Sequence, residues 1–171
     1  MQLKIVSKEA FSYDLDEFKL YAKIDNNIED ALLNSFLNSA FELAETKTNR
    51  AYSKTTYEYY TDKQTDELPR SPFINIVSIE KKSGDAYIAY SDYEIDTKGT
   101  LAKISFSEAG EYKVTFEAGY TVIPEKVKLW AYTQACTLYE YRTEFDNSNL
   151  QKIDNPFVDT LLDDYKVRSF V

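Results

Sequence analysis

Apolar and polar residues alternate with two different periods along this chain, and the change of period divides it. The opening LKIVS reads as a short strand or an extended arm. Leu15, Phe18, Leu20 or Tyr21, and Ala22 then fit a short helix, with Asp14 as its cap. Asp25-Asn26-Asn27 breaks it. The strongest helical signal follows in IEDALLNSFLNSAFELAETKTN. Ile28, Leu32, Phe36, Ala40 and Leu43 form one apolar stripe, and Leu33, Leu37, Phe41 and Ala44 widen it. A stripe this broad predicts burial on more than one side, with Leu32, Phe36 and Leu43 in the core. Asn27 is placed to cap the start, Glu29 and Asp30 suit the positive end of the helix dipole, and Asn49 suits a left-handed close.

From Thr55 to Tyr120 the pattern changes to period two. TTYEYYTD, FINIVSIEKK, AYIAY, DYEIDT, AKISF and EYKVTFEAGY read as strands. LPRSP, SGD, Lys98-Gly99 and Ala109-Gly110 separate them, with Pro69 and Pro72 fixing an extended turn. Helical spacing returns in IPEKVKLWAYTQACTLYEYR, where Pro124 suits the first turn. Val127, Trp130 or Ala131, Ala135 and Leu138 form its apolar face, so Trp130 and Leu138 are expected in the core. FDNSNLQKID is a polar loop. Asn155 caps and Pro156 starts a last helix with Phe157, Leu161 and Tyr165 on one face. The expectation is one α+β domain over 1–171, mainly a helical bundle with an antiparallel β insertion between the second helix and the C-terminal helices. Its parts are an arm and helices (1–54), the β insertion (55–121), a helix (122–146), and a loop with a C-terminal helix and tail (147–171).

Composition narrows what this domain does. A hydrophobic fraction of 43% over 171 residues supports a real core and argues against disorder. Fifteen Tyr against ten Phe suits half-buried sheet faces and interfaces. The net charge of −9, with no basic stripe, disfavours a grip on nucleic acid or anionic membranes. No apolar run reaches membrane-spanning length, and the N-terminus lacks a signal-peptide core, so a reducing cytoplasm is expected. The single Cys136 excludes an intrachain disulfide.

The same composition removes most chemistry. Without His there is no ordinary Ser or Cys triad and no His-bearing metal site. Neither phosphate-cradling glycine motif occurs. Asp14 with Asp16, Asp92 with Glu94 and Asp96, and Asp163 with Asp164 are acidic clusters that could pair carboxylates for glycoside cleavage or cation binding. Capping, solvated helix ends and the polar outer face of a sheet explain them more simply. No catalytic residue, cofactor site or metal site is assigned, and a structural or interaction protein is expected rather than an enzyme.

The order of segments resembles the head–tail connector (adaptor) proteins of tailed bacteriophages. LDEFKLYAKID is similar to that family's first short helix. EDALLNSFLNSAFELAETKTNR is similar to its long second helix, with Asn49 where Gly is usual in the closing Thr-Gly-Arg. LPRSPFINIVSI matches its Pro-rich turn into a strand, and YEID and VTFEAGY match later strands. IPEKVKLWAYTQACTLYEYR resembles the next helix, running into Tyr139, Glu140 and Arg142. NPFVDTLLDDYKVRSF resembles the closing segment, with Val171 beyond the usual Phe.

The resemblance implies a virion protein assembled in the bacterial host cytoplasm. It implies a dodecameric ring under the portal that extends the DNA channel and meets a stopper or tail terminator, without catalysis or cofactor. In such a ring Phe157, Leu161, Leu162, Tyr165, Arg168 and Phe170 would dock on the portal as an amphipathic helix and tail, with the Asn147–Asp154 loop giving reach; the alternative is a tail packed into its own core. Carboxylates facing the lumen would let DNA pass without tight binding. Two rivals stand beside this reading. One is an acidic DNA mimic. The other is a carbohydrate-binding or carbohydrate-cleaving domain with Tyr57, Tyr59, Tyr87 and Tyr93 as stacking platforms.

Overall fold

The computed structural model describes residues 2–140 and 156–167. The chain divides into two compact units, one from residues 2–10 and 49–121, the other from 11–48 and the described part of 122–166.

The first unit is all strand. β1 (Gln2–Lys8), β2 (Thr55–Thr61), β4 (Phe73–Ser83), β5 (Ala86–Ala89) and β8 (Tyr112–Ala118) form a five-stranded antiparallel sheet in the order β1-β2-β8-β4-β5. β3 (Thr65–Glu67), β6 (Tyr93–Asp96) and β7 (Lys103–Phe106) form a three-stranded antiparallel sheet in the order β3-β7-β6. The alternation in β2 and β8 is complete, every second residue being buried. Tyr57 pairs across the strands with Phe116, and Tyr59 with Val114. These residues share one core with Ile79, Tyr112, Leu68, Ala102, Ile104 and Phe106. Phe106 and Tyr112 stack with ring centroids 3.7 Å apart.

Bulges after Phe73 and after Ile76 let β4 stay paired to β8 while bending. The LPRSP breaker brings Leu68 into the core, where its N–H donates to the Ala102 carbonyl at 2.8 Å. Gly119 closes the unit at φ +142°, its N–H on the Pro72 carbonyl at 2.9 Å. A Cβ there would lie 2.2 Å from the Ser53 carbonyl oxygen, so only glycine fits.

The second unit is helical: α1 (Leu15–Ala22), α2 (Asp30–Thr48), α3 (Glu125–Glu140), α4 (Pro156–Thr160) and a 3-10 turn, Asp163–Tyr165. The Asp14 carboxylate accepts from the Asp16 N–H at 2.9 Å and caps α1. Lys23 ends α1 and Asn49 follows α2, both left-handed at φ 57° and 58°. Asn27 does not cap α2. Its side-chain oxygen takes a hydrogen bond from buried Lys19, which also pairs with Asp30 at 2.9 Å, and the Glu29 carbonyl opens the helix. Phe18 meets Tyr132 edge-on at 5.2 Å, tying α1 to α3.

Several expectations are corrected here. The protein is α+β with helix and strand in roughly equal measure, not mainly a helical bundle. The β region also recruits β1 from the N-terminus, so it is more than an insertion. The core side of α2 is Leu33, Leu37, Ala40, Phe41 and Ala44, whereas Leu32 and Leu43 are exposed and Phe36 is half-buried. Leu138 is exposed as well, while Trp130, Ala131 and Ala135 of α3 are buried. A helix lying in a single helical layer buries one side, and the stripe one residue on from the expected one faces α3.

Candidate assembly surface

Nothing among the described residues gathers into a catalytic or metal centre. No group of three or more Asp, Glu or Cys side chains there is arranged to hold a metal ion. Glu94 and Asp96 are exposed on the outward side of β6 and Asp92 is exposed just before it, with Tyr93 and Ile95 turned towards the core, as alternation requires. Asp164 pairs with Lys126 at 2.5 Å and Asp163 with Lys166 at 2.6 Å. Of the candidate sugar platforms, Tyr57 and Tyr59 are core residues. Tyr87 stands against Tyr60 on a shallow cleft of about 200 Å³ with Asp62 and Glu111. A second cleft, between α1 and α3, measures about 110 Å³. Both fall short of an ordinary ligand site.

One polar cluster was not visible in the sequence. Asp66 accepts from the Tyr59 hydroxyl at 2.6 Å, the Thr61 hydroxyl at 2.7 Å and the Glu67 N–H at 3.0 Å, with Lys63 at 3.4 Å. Burial pushes its carboxyl up, but the hydrogen bonds and Lys63 outweigh burial and hold it below the usual carboxylate value. Burial, then the Asp66 bond, pushes the Tyr59 phenol well above its ordinary value. Its only sequence signal is a Tyr-x-Thr pair on β2 facing a short acidic strand, a pattern too common to single out. The cluster fastens β3 to β2 and is structural.

Charge on the outer face of the five-stranded sheet is paired. Lys113 meets Glu80 at 2.6 Å, Lys54 meets Glu117 at 3.0 Å, Lys82 meets Glu111 at 2.5 Å, and Lys4 approaches Glu58 at 4.0 Å. A DNA mimic needs unbroken rows of carboxylates, and cations interrupt these rows.

The C-terminal segment is divided in use. Leu161 and Leu162 are 7% and 1% exposed, so they pack within their own chain. This corrects their assignment as docking anchors, because a side chain already buried presents nothing to a partner. Phe157 is 64% exposed and Tyr165 half-buried. Arg168, Phe170, Arg142, the Asn147–Asp154 loop and the Asn155 cap lie outside the described residues.

Exposed apolar side chains lie elsewhere too. The helical unit shows Leu20, Ile28, Leu32, Leu43, Val122 and Leu138, and the strand unit Ile5, Val6, Ile74, Val77 and Ile88.

The model of the head completion protein family matches residues 13–150. No curated protein sequence matches. Among solved structures, a chain from the virion of a native gene transfer agent particle superposes with TM-score 0.79 at 18% identity, covering 100% of this chain and 98% of that one. A chain from the neck of an empty gene transfer agent particle computed with C6 symmetry gives 0.77 at 18%, with the same coverage. One from the neck of the native particle computed with C12 symmetry gives 0.72 at 17%, again with that coverage. At these identities the likeness is one of fold.

Proposed function

Because the chain belongs to the head completion protein family, we propose that it serves in the neck of a tailed, phage-like virion, as a ring under the portal that extends the DNA channel and joins the capsid to the next neck component. The role is structural, not enzymatic. The observation that carries the reading is the family match over residues 13–150. The fold shared with chains of gene transfer agent virions and necks supports it. Those necks were computed with C6 and C12 symmetry, which agrees with a dodecameric ring here.

The surface suits a channel wall. A chain of net charge −9, with lysines such as Lys54 and Lys113 tied to carboxylates on the sheet, repels a duplex. Portal docking falls to Phe157 and Tyr165 with Arg168 and Phe170, since Leu161 and Leu162 are engaged within the chain.

The test is genetic and structural. Particles made without this protein should accumulate as tailless heads that cannot retain DNA, and adding the purified chain should restore neck density directly under the portal. Deleting 168–171 should leave a folded chain that no longer joins the head. Intact, infectious or gene-transferring particles without the chain would refute the reading.

A further inference from the structure

The outward face of α2 is unlike the rest of this surface. From Ala31 to Phe41 the helix carries no charge, in a chain whose residues are 29% charged. Leu32 and Leu43 are exposed on it, and Ile28, in the turn before the helix, is 90% exposed. Ser35 and Ser39 lie between them and bend their hydroxyls back onto the carbonyls of Ala31 and Ser35, at 3.0 and 2.9 Å. Those bonds mask the polarity of the two serines, and their small size lets a partner come close. The result is a neutral, partly apolar strip about 16 Å long, with Ile28 and Leu43 just beyond its two ends. Depletion of charge with exposed aliphatic residues is the composition of an interface core.

A second surface shares these properties. From Ser71 to Ile79 the chain is again uncharged, and Ile74 and Val77 are 42% and 54% exposed at the two bulges of β4. β5 pairs only with Glu80–Ser83, so this half of β4 lies at the edge of the described sheet. β5 itself continues the edge with Ile88, 54% exposed, in the uncharged stretch Ala86–Ser91. The opposite edge, β1, carries Lys4 and Lys8, the usual guard against strand pairing.

We propose that the α2 face of one copy binds the β4–β5 edge of the next. This rests on the ring reading and names its contact. Two arguments favour a second copy over another partner. A ring closes through two different patches on each subunit, and the chain offers two. Copies that each carry −9 repel one another on average, so faces that carry no charge are where they meet at least electrostatic cost. A basic partner would be drawn to acidic surfaces instead.

The test uses the full chain and two double variants, Leu32→Glu/Leu43→Glu on the α2 face and Ile74→Glu/Val77→Glu on the β edge. Ser39→Arg adds bulk to the α2 face without removing any packing. Unchanged far-UV circular dichroism certifies each fold. Native mass spectrometry and sedimentation should show the wild-type chain self-associating, and each variant should weaken that by roughly 30-fold or more. Mixing the two double variants should give one-to-one heterodimers and nothing larger, because only one intact contact remains.

Full-size assembly by an α2-face variant, or no heterodimer on mixing, would overturn the contact while leaving the neck reading intact. A wild-type chain that stays monomeric at its solubility limit would also overturn it. If that monomer is still incorporated beneath the portal, the neck reading stands. If it is not, both fall.

Discussion

Gly119→Ala tests the packing at the join between β8 and the chain that follows it. An added Cβ meets the Ser53 carbonyl oxygen at 2.2 Å, the Ser53 carbonyl carbon at 2.7 Å and the Lys54 Cα at 2.9 Å. All three are backbone atoms, so no side chain can swing aside. The glycine also sits at φ +142°, where an L side chain is strained by about 1–3 kcal/mol. Forced overpacking adds about 1–3 kcal/mol more. The sum is roughly 2–6 kcal/mol. For a chain of this size that lowers the melting temperature by roughly 10 °C. Gly84→Ala is the control, with φ +62° but nothing within 4 Å of the new Cβ. It bears only the backbone strain, about 1 kcal/mol. Calorimetry of the two variants decides the matter. A melting temperature for Gly119→Ala within 2–3 °C of wild type, or equal to that of Gly84→Ala, would refute the steric argument.

Three further outcomes follow from the same packing and charges. Asp30→Ala leaves the buried Lys19 ammonium with the Asn27 amide oxygen but no counter-charge and should cost roughly 2 kcal/mol, less than a fully buried pair because Asp30 is 35% exposed; adding Lys19→Met should recover most of it, read by urea unfolding. Leu162→Ala should cost about 3 kcal/mol and Phe157→Ala under about 0.5 kcal/mol, since one is 1% and the other 64% exposed; similar losses in urea melts would mean that the tail does not pack as described. The Asp66 carboxyl is held below its ordinary value of 3.8 in the folded chain, so its contribution is complete above about pH 5 and is lost as pH falls through the folded value; Asp66→Asn should therefore flatten the wild-type loss of stability below about pH 5, and parallel curves would count against the cluster.

Where the sequence was legible, one physical rule acted alone. β2 and β8 lie inside a sheet with one face on a core, so their alternation is unbroken and predicts them outright. Asp14 caps α1 through its own neighbours' N–H groups, which needs no tertiary information. The helix α2 was legible as a helix but not as to its buried side. Its apolar residues cover two adjacent stripes, and periodicity cannot say which one meets α3. The answer, Leu33-Leu37-Phe41-Ala44, depends on where Val127, Ala131 and Ala135 lie. Asn27 shows another limit. It looks like a cap, but a buried lysine eight residues earlier claims its side chain. The strand Thr65–Glu67 is polar and three residues long, and it exists because β7 offers partners, not because of its own composition. The tail shows the same limit, since exposed Phe157 and buried Leu161 read alike in sequence.

Charge, more than hydrophobicity, orders the outside of this molecule. An acidic chain has to solve two opposed problems in a neck. In the proposed ring it must not hold DNA, and it must hold copies of itself. Unpaired lysines would defeat the first requirement, and the lysines of the five-stranded sheet are paired with carboxylates across the strands. Carboxylates spread evenly over every face would defeat the second, because each added copy would meet the field of the last. Two uncharged stretches, Ala31–Phe41 on a helix and Ser71–Ile79 on a sheet edge, relieve that repulsion locally without reducing the net charge. The two requirements are then met by different residues. A variant that places charge on α2 should lose self-association without gaining affinity for DNA, whereas breaking the Lys113–Glu80 pair with Glu80→Gln should leave assembly intact.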